Sequence, residues 1–211
     1  MKHFSRLLTV VSLAAIFAPA AIGHFKLLEP PSALMEGNNG DPQKMAPCGG
    51  TSADAGTPSN IITSIRGGTK LHLKVQETVY HPGHYRVALA VNSRTELPKD
   101  PEVTTRESAR GPQSVSAVIQ NPVRPPLLVD GLWAHDTRPT GTAAPYETDI
   151  EIPNINYEKC TLQIIQFMAE HGLNRDGDFS YHHCADLKIT ADPAKPLATG
   201  WPTAPARGGT R

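Results

Sequence analysis

The stretch that decides the fold is 71–76, LHLKVQ, in which apolar and polar side chains alternate. Because successive side chains of a β-strand point to opposite faces, this alternation predicts a strand with one buried and one solvated face. Similar stretches rich in Val, Ile, Leu, Tyr and Thr predict further strands at 85–91, 147–152, 161–168 and 181–190.

Turn-forming residues separate these predicted strands. The chain contains 20 prolines and 17 glycines, and no stretch of it has the periodicity of an amphipathic helix. Short strands between turns predict an all-β fold, specifically a two-sheet immunoglobulin- or fibronectin-like β-sandwich with long irregular loops. The two longest loops are predicted at 29–60 and 92–130, and loops of this length in a compact domain usually serve function.

Both ends of the chain are predicted to lie outside the folded domain. Residues 1–23 follow the pattern of a secretory signal peptide, with a basic start, an apolar run and a small-residue cleavage site at 21–23. Residues 191–211 mix proline with Ala, Gly and Thr and are predicted to be a disordered tail. One domain, 24–190, remains, and it is predicted to be secreted, either to the extracellular space or to the periplasm.

Charge and hydropathy narrow the possible partners. The 20 basic and 20 acidic residues balance, and Lys and Arg form no cluster in the sequence, which argues against nucleic acid and anionic membranes as partners. The apolar run of the signal peptide is too short to span a membrane, and no later stretch resembles a span. We expect a monomer.

Cleavage after Gly23 makes His24 the first residue of the mature chain. An N-terminal histidine offers two nitrogen donors, its α-amine and its imidazole, and a second histidine completes a three-nitrogen site. The ordinary pKa values, about 7.7–8 for the amine and about 6.5 for imidazole, leave all three nitrogens available near neutral pH. Amine and imidazole ligands suit copper.

The second histidine is sought in the stretch 80–87, YHPGHYRV, between two predicted strands. Pro82 restrains the backbone at His81, and Gly83 permits a tight turn or a close approach to another segment. His81 is therefore the predicted ligand. His84, at the start of the next strand, is the alternative.

A third element lies at 179–187, FSYHHCADL. On a strand, Tyr181 and His183 share one face, whereas His182 and Cys184 share the other. One face can then contact a metal, while the other face is attached to the rest of the protein through Cys184.

Together these elements resemble the lytic polysaccharide monooxygenases and, more loosely, their histidine-brace relatives that bind copper without oxidising glycans. The resemblance rests on His24, on the His-x-Gly context of 81–83 and on the Tyr-x-x-Cys-Ala motif at 181–185. The start at His24, with 47–50, PCGG, looks closer to the fungal copper-binding relatives. Residues 24–50, 71–91 and 160–190 carry the resemblance, and the middle of the chain is unmatched.

The resemblance implies a copper site made by His24 and His81, with Tyr181 in the axial position. It also implies oxidative cleavage of glycosidic bonds in a polysaccharide, with electrons from an external donor. The glutamine of the cellulose-active branch is replaced by Phe179 here, so the hydrogen-bond donor near the metal is sought among His183, Gln166, His171 and His135. In a non-redox relative the axial position would hold a carboxylate, and Asp136 or Asp186 is then the candidate.

Two other functions remain open at this stage: a copper-binding or copper-delivery protein on the same fold, and a non-catalytic glycan-binding module. A hydrolase using two carboxylates is also considered, because acidic residues cluster in sequence at Asp130, Asp136, Glu147 and Asp149. The motifs of serine hydrolases, P-loop enzymes and zinc proteases are absent from the sequence. Rings available to stack on sugars are Tyr80, Tyr85 and Trp133, of which the last two fit the core equally well.

Secretion predicts that cysteines pair, and the chain has three. The resembling families often tie the region after the first strand to the last strand, which implies a bond between Cys48 and Cys184. Cys160 is then unpaired. The alternative is a bond between Cys160 and Cys184 on neighbouring strands.

Overall fold

The computed structural model describes residues 24–141 and 143–202, so the predicted signal peptide lies outside the described residues. The described ranges contain ten strands, one short 3-10 turn at Arg94–Glu96 and no α-helix. The strands are β1 His24–Glu29, β2 Ile62–Arg66, β3 Lys70–Val79, β4 Gly83–Ala90, β5 Val103–Ser108, β6 Gly111–Ala117, β7 Leu127–His135, β8 Tyr146–Glu151, β9 Tyr157–Met168 and β10 Ser180–Thr190.

The strands form two facing sheets and a separate hairpin. One sheet has the order β1-β3-β8, the other has the order β2-β10-β9-β4-β7, and β5 pairs with β6. All pairings are antiparallel except that of β2 with β10. Leu73 and Val75 from the first sheet and Leu162 and Ile164 from the second are fully buried in one shared core. The all-β sandwich prediction is confirmed.

The five predicted strands correspond to β3, β4, β8, β9 and β10. In β3 every second residue from Leu71 to Glu77 is buried, which is the pattern that the alternation predicts. The strand Val103–Ser108 has almost no buried residue, so its sequence carries no alternation to detect. The segment 92–130 is therefore not wholly irregular, because it contains the hairpin and the start of β7.

Gly83 fixes where the chain leaves His81 and enters β4. A Cβ atom at this position would lie 1.9 Å from the carbonyl oxygen of Phe167 on β9. Only glycine allows the two backbones to come this close. The close approach expected from the sequence is therefore present, and it sets the start of β4 directly after the turn that carries His81.

Cys48 and Cys184 form a disulfide, and Cys160 is free and buried, as predicted. The bond fastens the long 29–60 loop to the outer face of β10, where Ala33 packs beside it. The amide of Ala33 also donates to the carbonyl of Cys184 at 2.6 Å, and that of His182 donates to the Gln43 carbonyl at 2.7 Å. The loop is thus held along the first half of β10.

The chain continues along the sandwich after β10. The side-chain amide of Asn154 donates to the carbonyls of Asp192, Lys195 and Pro196 at 3.0–3.1 Å, and Trp201 packs against the core. This part of the predicted disordered tail is therefore fixed to the domain instead, while residues 203–211 lie outside the described residues. No helix in the described ranges has the length and apolar character needed to cross a membrane.

Candidate metal site

Three histidines and a tyrosine meet at one end of the sandwich. The ring centroid of Tyr181 lies 5.4 Å from that of His24 and 6.4 Å from that of His171. The rings of His171 and His81 are 4.8 Å apart. We call these four residues the imidazole cluster, and it includes every predicted metal ligand.

Strand pairing brings these residues together from distant parts of the sequence. His24 pairs with Val79, two residues before His81. Gly83 pairs with Met168, three residues before His171. The start of β10 pairs with the end of β9, which places Tyr181 at the same edge.

His24 is nearly buried, with 8 % of its surface exposed. Its Nε2 atom lies 3.2 Å from a carboxylate oxygen of Asp41 in the 29–60 loop. The next residue, Phe25, donates its amide to the Gln43 side chain at 3.0 Å, so the same loop holds the start of β1 at two points. Asp41 could not be identified from the sequence, because contacts between a loop and a strand leave no periodic pattern.

His171 is neutral and carries its lone pair on Nε2. Burial and the neighbouring His81 lower the pKa of His171 to about 4. Its Nδ1 donates to the Gly172 carbonyl at 2.5 Å, so the unprotonated nitrogen is Nε2. A neutral imidazole beside His81 has the chemistry of a metal ligand.

The hydroxyl of Tyr181 is buried and has no hydrogen-bond partner among the described residues. Burial raises the pKa of Tyr181, and the charge of Asp41 adds to this effect. The phenol is therefore protonated at neutral pH. A buried hydroxyl without a partner is costly unless a ligand supplies one.

His183 is buried away from the imidazole cluster, beneath Phe25. Its Nε2 donates to the Phe25 carbonyl at 3.0 Å, and its Nδ1 lies 3.1 Å from a carboxyl oxygen of Glu36. Burial lowers the pKa of His183 to about 4 and raises that of Glu36 to about 7. Nε2 of His183 is therefore occupied by the backbone and its Nδ1 faces Glu36, so His183 is not one of the four residues of the imidazole cluster.

Gln166 pairs with Tyr181 across β9 and β10, but its amide donates to the Glu77 carboxylate at 2.5 Å. The same oxygen of Glu77 accepts the Tyr85 hydroxyl at 3.2 Å and lies 3.0 Å from Nε2 of His135. Gln166 therefore belongs to a buried polar group centred on Glu77. Glu77 could not be identified from the sequence, because Glu77 occupies an ordinary position on an alternating strand.

His135 links this polar group to His81. Its Nε2 lies 2.7 Å from the His81 carbonyl as well as near Glu77, and its Nδ1 lies 2.7 Å from the Trp133 carbonyl. All three neighbours are acceptors, so both ring nitrogens donate. Burial works against the charge, but the hydrogen bonds to Glu77 and to the two carbonyls raise the pKa of His135 overall. The residue acts through the backbone of His81, which makes it a positioning residue.

The buried pair of Glu77 and His135 provides a test that needs no metal. We expect Glu77→Gln to lower the free energy of unfolding by about 3 kcal/mol, because the charge of His135 loses its buried partner. NMR titration should show the pKa of His135 falling in the same variant. Glu147→Gln is the matched control, since Glu147 is half exposed and its pair with Lys74 is screened by solvent. Equal losses in both variants would contradict the assignment.

The alternative ligands lie elsewhere. His84 is buried on the other face of β4 from Tyr85, with its ring 5.2 Å from that of Phe167. Asp186 pairs with Arg94 at 3.1 Å, and Asp136 accepts from Thr137 at 2.9 Å, so neither carboxylate lies in the imidazole cluster.

The carboxylates considered for a hydrolase are not gathered in one cleft. Glu147 and Asp149 lie on an exposed strand beside His72. Asp130 caps the backbone amides of Gln120 and Gly131. The three rings considered for stacking on sugars are also placed: Tyr85 is fully buried, Trp133 stacks on Tyr146 at 5.7 Å, and Tyr80 lies under Arg138.

In the described ranges no three His, Cys, Asp or Glu side chains are gathered so that they alone would hold a metal ion. A histidine brace uses only two side chains together with an α-amine, which exists only after cleavage before His24. Neither a family model nor a curated protein matches this chain.

Proposed function

We propose that the chain, cleaved after Gly23, is a secreted copper-dependent enzyme that cleaves polysaccharides oxidatively. The observation that carries this proposal is the imidazole cluster at one end of the sandwich, in which Tyr181 lies between His24 and His171, and His171 lies beside His81. His24, His81 and Tyr181 follow one another in the sequence in the same order as the two ligand histidines and the axial tyrosine of the lytic polysaccharide monooxygenases.

The donor set fits copper. Two imidazoles and the α-amine of His24 are nitrogen ligands of the kind that copper prefers. When bound, copper would supply one-electron redox chemistry toward an oxidant. His24 and His81 would hold it, and Tyr181 would stand beside it as a protonated phenol. His135 and Glu77 would keep His81 in place through its carbonyl, as second contacts behind ligands commonly do.

The direct test uses protein that begins at His24, loaded with copper and given a reductant. Chitin, cellulose, xylan and the carboxylated glycan polygalacturonate are incubated with it, and the soluble products are analysed by mass spectrometry. Oxidised oligosaccharides are expected from one of these glycans, and copper-free protein should release none. Absence of oxidised products from every glycan, with copper bound, would refute the enzymatic proposal.

The ligand assignment has its own test. We expect His81→Ala to weaken copper binding by more than about 100-fold, which exceeds the loss usual for residues behind the ligands. His84→Ala is the matched control, because it removes a buried imidazole three residues away on the other face of β4. Its copper affinity should stay within about threefold of wild type, since it has no part in the site. Similar losses in both variants would show that the ligand assignment is wrong.

Copper binding and delivery without oxidation is the second candidate. The observation that favours it is His171, whose neutral ring lies 4.8 Å from that of His81 and adds a further imidazole. A site with more imidazoles leaves fewer positions for an oxidant. Tight copper binding without oxidised products would identify this function, and loss of affinity in His171→Ala would support it.

A further inference from the structure

A cleft of about 450 Å³ opens beside the imidazole cluster, and His81, His171 and Tyr181 form part of its wall. Its other walls come from the 29–60 loop, the β5–β6 turn and the loop between β9 and β10. Each of these segments contributes one cation, namely Lys44, Arg110 and Arg175. None of the three forms an ion pair with a carboxylate in the described part of the chain.

The remaining polar groups of the cleft reinforce its positive character. Its one carboxylate, Glu170, is paired with Arg106 on the neighbouring hairpin. The amide nitrogen of Asn174 and the hydroxyl of Tyr181 are buried, line the cleft and have no hydrogen-bond partner among the described residues. The described part of the cleft therefore carries three cations, and its one carboxylate is already paired with a cation outside it.

Backbone contacts fix the three segments in place. The hydroxyl of Ser114 on β6 donates to the Met168 carbonyl at 2.6 Å, which docks the hairpin that carries Arg110. The Lys44 carbonyl lies 3.0 Å from Nδ1 of His182. A Cβ atom at Gly177 would lie 2.0 Å from the same carbonyl, so the β9–β10 loop is packed closely against Lys44. The backbone positions of the three cations are thus fixed before any ligand arrives.

Neutral glycans are commonly held by exposed aromatic rings, and those are missing from the described surface. Every Phe, Tyr and Trp in residues 24–141 and 143–202 is buried or half-buried. Arginine and lysine instead suit carboxylate groups, because guanidinium donors match a carboxylate in geometry and charge. Three cations on three separate segments suit a ligand that carries several negative charges along its length.

We propose that this cleft binds an acidic polysaccharide whose sugar rings carry carboxylates, and that such a glycan is the substrate presented to the imidazole cluster. The role as substrate rests on the proposed function, whereas binding itself needs no copper. The charge of the whole chain is balanced. The positive charge of the cleft comes from three cations that are far apart in the sequence.

The test measures binding of polygalacturonate to copper-free and copper-loaded protein that begins at His24. The fully methyl-esterified polymer is the neutral reference, and galacturonic acid and dextran sulfate are the other probes. The variant Arg110→Gln/Arg175→Gln removes two cations from the cleft. The matched control, Arg66→Gln/Lys70→Gln, removes two exposed cations at β2 and β3.

We expect polygalacturonate to bind both forms of the protein and the cleft variant to lose at least about tenfold in affinity. The control variant should stay within about threefold, since exposed charges at a distance are largely screened. Equal binding of the methyl ester, of the monomer or of dextran sulfate would overturn the assignment to a carboxylated polymer. An equal loss in both variants would overturn the assignment to this cleft. Polygalacturonate binding is also measured on copper-free protein, so this result can be interpreted even if the protein does not bind copper.

Discussion

Protein that begins at His24 is expected to bind copper more than about 100-fold more tightly than the same protein with one glycine added before it. In the extended protein the His24 nitrogen is an amide and has no lone pair to give, so one of three nitrogen ligands is lost. Losses from residues behind the ligands are already about 10–100-fold, and loss of a ligand exceeds them. Competition titration against a chelator of known affinity measures the difference.

The extension should leave the fold unchanged, so a difference in copper affinity between the two forms reports on the α-amine alone. The first strand is held by the contact of His24 with Asp41 and by the amide of Phe25 on Gln43, and neither requires a free amine. Thermal unfolding of the two copper-free forms should therefore agree. Equal copper affinity of the processed and extended forms, with equal stability, would refute the three-nitrogen site.

The disulfide gives the second large effect. Cys48 and Cys184 are separated by 136 residues, and in the chain-entropy treatment a loop of this length contributes about 5 kcal/mol. We expect the double variant Cys48→Ala/Cys184→Ala to lose up to this amount in free energy of unfolding. Urea denaturation of the copper-free protein measures it.

Cys160→Ala is the control for the disulfide. The Cys160 thiol is buried and unpaired, and burial raises its pKa to about 12, so it is an inert core residue. Its replacement should cost about 1 kcal/mol, the typical value for a core truncation this small. Peptide mapping that finds Cys160 joined to another cysteine would contradict this assignment.

The alternation of residues in 71–76 was sufficient to predict β3, because one face of that strand is buried and the other is solvated. The same reasoning failed for Val103–Ser108, whose side chains are mostly exposed on both faces. It also failed for β7, where Gly131 and Trp133 have positive φ angles of 68° and 50° and interrupt the strand pattern. Alternation thus reveals regular strands with one face in the core, and it misses strands that are exposed or interrupted.

For a similar reason, the sequence indicates only part of the imidazole cluster and its surroundings. His24, His81 and Tyr181 each lie in a short motif with its own chemical meaning, and ring contacts through His171 join them in one cluster. Asp41 and Glu77 act only through contacts between segments that are distant in sequence, so no local sequence pattern indicates them. His183 and Gln166 are also predicted near the metal, but Nε2 of His183 donates to the Phe25 carbonyl and the Gln166 amide donates to Glu77.

The contacts after β10 decide where the folded unit ends. The side-chain amide of Asn154 donates to three carbonyls of the segment that follows β10, and Trp201 covers part of the core. A shortened protein that stops at Thr190 would expose apolar surface and leave the Asn154 amide without its acceptors. The smallest stable version of this protein therefore extends through Pro202, about one dozen residues beyond its last strand.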